Sequence, residues 1–272
     1  MENLIIVGSG PAGLSAGIYA ARAGLSPVVL EGLESGGQLM QTQHVANYPG
    51  FPGTVAGPDI IAAMRRQAEE AGVRFTMDEV RRVDFSGSVL RLFTLMGDTL
   101  EARAVILATG AGVTKTNLPG EAKYWGRGIS ACLTCDGAFY AGRRVVIVGE
   151  GPAVQGAKLY LTRCGAEVAA IMAPAEVAAF EGDLQHLTGV ARADGGEPVA
   201  CAGVFLVTAR TPQTAFLGDA LARDAKGHVI VSEGVRTAVP AVFAAGDCAR
   251  PHHKQAVIAA GDGALAALEA QE

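Results

Sequence analysis

Cys132 and Cys135 flank two residues in Cys132-Leu133-Thr134-Cys135-Asp136-Gly137. Cysteines at this spacing can close a small disulfide, and a helix starting there lowers one thiol's pKa through the partial positive charge at its N-terminus. That is redox chemistry. The rival readings are half of a zinc site or two inert buried thiols, but no second Cys-x-x-Cys and no His-x-His supplies further ligands. No metal centre is expected. Asp136 follows directly and can shuttle a proton, a role compatible with capping a helix start. Cys164, Cys201 and Cys248 stand alone among apolar or small neighbours, where cysteine acts as a small hydrophobe.

A second kind of chemistry is written in glycine. Gly8-Ser9-Gly10-Pro11-Ala12-Gly13 follows the apolar run Leu4-Ile5-Ile6-Val7 and opens a helical stretch reaching about Ala23. At this spacing the first glycine turns sharply, the second admits a pyrophosphate against the backbone, and the third packs helix on strand. The phosphate then sits at a helix N-terminus. A strand over Pro27–Leu30 ends at Glu31, an acid suited to an adenosine ribose. The same unit recurs at Val145-Val146-Ile147-Val148 and Gly149-Glu150-Gly151-Pro152-Ala153-Val154, with a helix ending near Arg163. Here Glu150 brings negative charge to the phosphate cradle and Val154 puts a branched side chain where helix and strand approach. The following strand, Glu167 to Met172, ends in Ala173-Pro174-Ala175, with neither an acid for a ribose nor an arginine for a 2′-phosphate.

The composition that must position these motifs is that of a folded, non-basic protein. The chain has 272 residues, half of them hydrophobic and 18% charged, which excludes global disorder and suits two domains. Its net charge of -5 argues against a general nucleic-acid binder. Residues 3–21 carry no charge, yet their glycines, Pro11 and the absence of a basic flank exclude a membrane helix or signal peptide. Five cysteines without a disulfide framework point to the cytoplasm.

Taken together, these residues closely resemble the low-molecular-weight thioredoxin reductases. The resemblance is carried by Gly8 to Gly13, Glu31, Gly36-Gly37-Gln38-Leu39, Asn47-Tyr48-Pro49-Gly50-Phe51, Ala108-Thr109-Gly110, Cys132 to Gly137, Gly246-Asp247 and Gln255-Ala256. It implies an α/β fold of two Rossmann-like, three-layer ββα-type nucleotide-binding domains, the second inserted in the first and shortened. An FAD domain would comprise residues 1–113 and 209–272, and a central domain residues 114–208. The FAD residues implied are Gly8, Gly10, Pro11, Ala12, Gly13, Glu31, Gly37, Gln38, Leu39, Asn47, Ala108, Thr109, Gly110, Gly246, Asp247, Gln255 and Ala256. Asp247 would hold the ribityl chain, and Gln255-Ala256 would lie beside the ring.

In that family Cys132 would exchange with the partner, Cys135 would face the flavin in charge transfer, and Asp136 would move the proton. A thioredoxin-like partner and a homodimer are implied. The central unit departs from the family: Val154 replaces an alanine, Ala173-Pro174-Ala175 replaces a His-Arg-Arg cluster, and the stretch from Met172 to Gly203 is short. The chain thus looks like the pyridine-nucleotide-independent members, some of which use ferredoxin. A plant-type ferredoxin near about −400 mV lies roughly 130 mV below thioredoxin, worth about 6 kcal/mol for two electrons. A dithiol oxidase running in reverse and a flavin redox sensor are the alternative functions. The basic stretch Arg250, His252, His253 and Lys254 is the expected docking site for an acidic donor.

Overall fold

Alternate residues of the first apolar run face opposite layers. The computed structural model describes residues 1–272 and opens with strand β1 (Glu2–Val7), helix α1 (Pro11–Arg22) and β2 (Val28–Leu30). Helix α2 (Gly57–Glu70), β3 (Arg74–Thr76), β4 (Val80–Asp84), β5 (Leu90–Thr94) and β6 (Thr99–Leu107) follow. Leu4 and Ile6 pack on α1 and α2, whereas Ile5 and Val7 pack on Val80, Leu90 and Leu92 of the opposite layer. An unbroken apolar strand is what burial on both faces demands. Each such fully buried Ile or Leu stabilises the fold by about 1.5–3 kcal/mol.

The parallel strands lie in the order β3-β2-β1-β6. The long β6 serves two layers. Its first half pairs antiparallel with β5, and its second half pairs in parallel with β16 (Val242–Ala244). Helix α6 (Ala256–Glu269) closes the helical layer against α1. That contact is between backbones, since a Cβ on Gly263 would lie 1.9 Å from the Ala12 carbonyl oxygen.

Between β6 and β16 the chain leaves through β7 (Ala111–Val113) and returns through β15 (Arg210–Pro212), which pair antiparallel. The intervening chain carries α3 (Glu121–Tyr124), β8 (Ile129–Ser130), α4 (Leu133–Asp136), β9 (Arg144–Gly149), α5 (Ala153–Arg163), β10 (Glu167–Met172), β11 (Val177–Gly182), β12 (Leu187–Arg192), β13 (Val199–Ala200) and β14 (Gly203–Val207). A four-stranded parallel sheet, β10-β9-β14-β8, packs between α5 on one face and β11-β12-β13 on the other. After β10 a single turn, Pro174–Glu176, leads straight into β11. No crossover helix and further parallel strand follow, so β10 keeps an open edge. No helix is long and apolar enough to cross a membrane.

Candidate flavin and disulfide site

The first glycine turn is held by contacts that no side chain could share. A Cβ on Gly8, which has φ +111°, would lie 2.4 Å from the Ala108 carbonyl oxygen, and one on Gly13 would lie 1.8 Å from the Gly8 carbonyl oxygen. Gly8 and Gly13 thus lock β1, α1 and the end of β6 together. Above Gly10 the space is open: the nearest atom to a Cβ there is the Gly36 carbonyl oxygen at 4.0 Å. Gly37 faces Gly10 from the 3-10 turn Gly37–Gln41, and the Gly36 N–H donates to Ser9 Oγ at 3.0 Å. Helix α1 begins at Pro11 with no side-chain cap, leaving its first amides free for an anion. Glu31 is buried at the end of β2 and pairs with Arg65 of α2. Arg65 lies 4.1 Å over the Phe75 ring and was not legible in the sequence, because nothing marks a helical arginine as facing a strand end.

The remaining expected residues collect at the carboxyl ends of β6 and β16, where ligands of such sheets bind. Ala108-Thr109-Gly110 follow β6, and Thr109 Oγ1 donates to the Gln213 carbonyl at 2.7 Å. Asp247 is half-buried; burial pushes its carboxyl up, opposed by the charges of Lys254 and Arg210 and by no hydrogen bond. Gln255 occupies the position just before α6, and its Oε1 accepts from Asn47 Nδ2 at 3.3 Å, a pair separated by 208 positions. An open glycine cradle at an uncapped helix, a buried acid and a carboxylate free to accept hydroxyl donors fit FAD.

The disulfide joins Cys132 to Cys135. The helix expected after Cys132 is a single turn, α4, followed by the 3-10 turn Gly137–Tyr140, so its dipole is small. The local aid is instead the Cys135 N–H, which donates to Cys132 Sγ at 3.2 Å. Asp136 accepts from Ser130 Oγ, and the same oxygen accepts the Cys132 N–H at 2.9 Å. Burial raises the Asp136 carboxyl above the usual aspartate range, against the Ser130 hydrogen bond and the charge of His44. Gln255 Nε2 donates to Thr134 Oγ1 at 2.6 Å and stands 4.0 Å from Cys132 Sγ, bringing the disulfide turn against the flavin-side loop. Arg210 adds a second tie, donating to Gln38 Oε1 at 3.2 Å and to the Ala131 carbonyl at 3.0 Å.

The second glycine turn is built differently. Val154 is buried against Val145, Ile147 and Phe205, so the place that is bare at Gly13 is filled here. Glu150 is exposed, and Glu176 turns back to accept the Ala173 N–H at 2.7 Å. The strand end thus carries an acid, Glu176, and Ala173, Pro174 and Ala175 offer no cation. The basic stretch differs from expectation. Arg250 is spent on Asp262, with Nε at 2.6 Å from Oδ2, and Lys254 points inward to the Asp247 and Arg250 carbonyls. His252 and His253 stay exposed, whereas Arg250, half-exposed, is paired by Asp262 and Lys254 is satisfied by two carbonyls.

The fold and this site define a flavin disulfide oxidoreductase. The family model for pyridine nucleotide-disulphide oxidoreductases matches residues 2–174 and 170–263. The thioredoxin reductase of Streptomyces clavuligerus is 37% identical over 301 residues, covering 100% of this chain and 93% of that protein. A bifunctional thioredoxin reductase/thioredoxin of Mycobacterium leprae is 35% identical over 299 residues, and the chain spans 65% of its length. The crystal structure of thioredoxin reductase from Streptococcus pyogenes superposes with a TM-score of 0.92 at 30% identity, covering 99% of this chain and 97% of that one. The chain belongs to the pyridine nucleotide-disulphide oxidoreductase family and, within it, to the low-molecular-weight thioredoxin reductases. FAD is its cofactor.

Proposed function

We infer that the protein reduces the disulfide of a thioredoxin-like partner through Cys132 and Cys135, using a donor other than NADPH, with ferredoxin favoured. The carrying observation is the second glycine turn, where Val154 fills the close approach and Glu150 stands exposed beside the cradle. Bound FAD would supply two-electron storage between the donor and the disulfide. Once two electrons relayed from the donor have opened the Cys132–Cys135 disulfide to the dithiol, Cys132 attacks the partner's disulfide and releases one partner thiolate; Cys135 then attacks Cys132 Sγ of the mixed disulfide, closing the intramolecular bond and releasing the second, to which Asp136 gives its proton. The residues expected to hold FAD are those of the glycine cradle, Glu31, Ala108 to Gly110, Gly246-Asp247 and Gln255-Ala256. We place the domain boundaries at 113/114 and 208/209, beside the β7–β15 ribbon, where Thr208 Oγ1 donates to the Thr114 carbonyl at 2.7 Å. A fused thioredoxin in the M. leprae relative supports the choice of partner. Homodimerisation and a cytoplasmic setting complete the reading.

The test is an anaerobic titration of the yellow protein with NADPH, NADH and reduced ferredoxin. Bleaching by ferredoxin and slow or no bleaching by NADPH is the expected result. Micromolar NADPH bleaching the flavin within seconds would refute the donor assignment.

A further inference from the structure

His228 is 3% exposed, yet the expected chemistry does not use it. It closes a short hairpin: the Asp224 N–H donates to the His228 carbonyl, and Asp224 Oδ1 accepts the backbone N–H groups of Lys226 and His228, each at 2.8 Å. The ring lies between two charged groups. Nδ1 is 3.0 Å from Asp224 Oδ2, and Nε2 is 3.0 Å from Lys254 Nζ. An ammonium can only donate, so Nε2 must accept and Nδ1 must carry the proton that Asp224 receives. The other two Lys254 contacts are the Asp247 carbonyl at 3.0 Å and the Arg250 carbonyl at 2.6 Å. All three N–H bonds of Lys254 are therefore matched. The hairpin meets the same loop through its backbone as well, since the Val229 N–H donates to the Cys248 carbonyl at 2.9 Å.

We propose that His228 is a positioning residue for the flavin: the chain Asp224–His228–Lys254 clamps the loop from Gly246 to Ala256 in its FAD-holding shape. The inference rests on the reading that Asp247 and Gln255-Ala256 face FAD. Lys254 spans the loop, tying residue 247 at its start to residue 250 in its middle from a point just before Gln255. With an apolar side chain at 228, the ammonium would lose a buried acceptor and pull away from those carbonyls toward water. The loop would then have to be ordered by FAD itself, which lowers affinity.

The experiment is a fluorescence titration of the apoproteins with FAD, comparing wild type with His228→Leu, His228→Gln, Lys254→Met, the His228→Leu/Lys254→Met double variant and Asp247→Ala. Glutamine can donate to Asp224 and accept from Lys254, whereas leucine fills the volume alone. A dissociation constant raised at least tenfold by His228→Leu and by Lys254→Met, held within threefold by His228→Gln, and no further raised in the double variant is expected. His228→Leu binding FAD within threefold of wild type, glutamine doing no better than leucine, or losses that add in full would overturn it. Should His228→Leu fail to fold, Lys254→Met against His228→Gln decides by the same margins. Normal FAD binding by Asp247→Ala would instead remove the reading of the loop, leaving the two failures distinguishable.

Discussion

Asp136 is pulled two ways. Burial raises its carboxyl, while Ser130 and the charge of His44 hold it down, and burial wins. Its acid form therefore persists to higher pH than that of an ordinary aspartate, the direction a proton donor needs. The sign for stability follows: the folded state keeps a proton that the unfolded chain releases, so the stabilising contribution is complete at low pH and is lost as pH rises through the raised range. Asp136→Asn is expected to slow disulfide exchange by about 10²-fold and to remove the fall in rate that accompanies loss of the Asp136 proton, measured by stopped-flow reduction of a thioredoxin as a function of pH. An unchanged pH profile would exclude Asp136 as the donor. The two cysteines separate spectroscopically: Cys132→Ser should keep or strengthen a thiolate-to-flavin absorbance band and Cys135→Ser should lose it. Identical spectra would remove the division of labour.

At the scale of elements, glycines with the same letter carry opposite demands. Gly13 sits where a Cβ would strike the Gly8 carbonyl oxygen, and neither backbone can give way. Gly13→Ala should lower stability by about 3 kcal/mol and weaken FAD retention, read from urea unfolding and flavin release. Gly156 lies inside α5 with nothing within 4 Å of its absent Cβ. Gly156→Ala should raise stability by about 1 kcal/mol, since only helix propensity and unfolded-chain entropy change. Equal effects would mean that the close approach at Gly13 is not what holds α1 on the sheet.

For the whole molecule, two long-range ties bring the disulfide turn to the flavin-side loop, through Arg210 and Gln255. Burial lowers the Arg210 guanidinium, partly countered by Asp247, so this tie stands on hydrogen-bond geometry rather than on a strong ion pair. Arg210→Ala should free the Ala131 carbonyl and loosen the disulfide turn. Faster amide hydrogen exchange over residues 129–137, with exchange in β1 and β6 unchanged, is the expected outcome. Unaltered exchange there would assign the contact to Gln255 alone.

The glycine turns, the disulfide pair and the two-faced apolar strands were legible in the amino-acid order. Each rests on atoms that chain connectivity already holds within a few residues of one another. The same locality explains why Val154 could be seen as a filled approach and Ala173-Pro174-Ala175 as a missing cation cluster before any coordinates. What the sequence could not show was which charges are free. Arg250 and Lys254 read as a basic stretch, yet Asp262 and His228, 12 and 26 positions away, engage both. Likewise Arg65 meets Glu31 across 34 positions, and Asn47 meets Gln255 across 208. A charged side chain is satisfied by whatever the fold carries to it, so its partner, and with it the line between a docking cation and a structural one, was decided only by the tertiary structure.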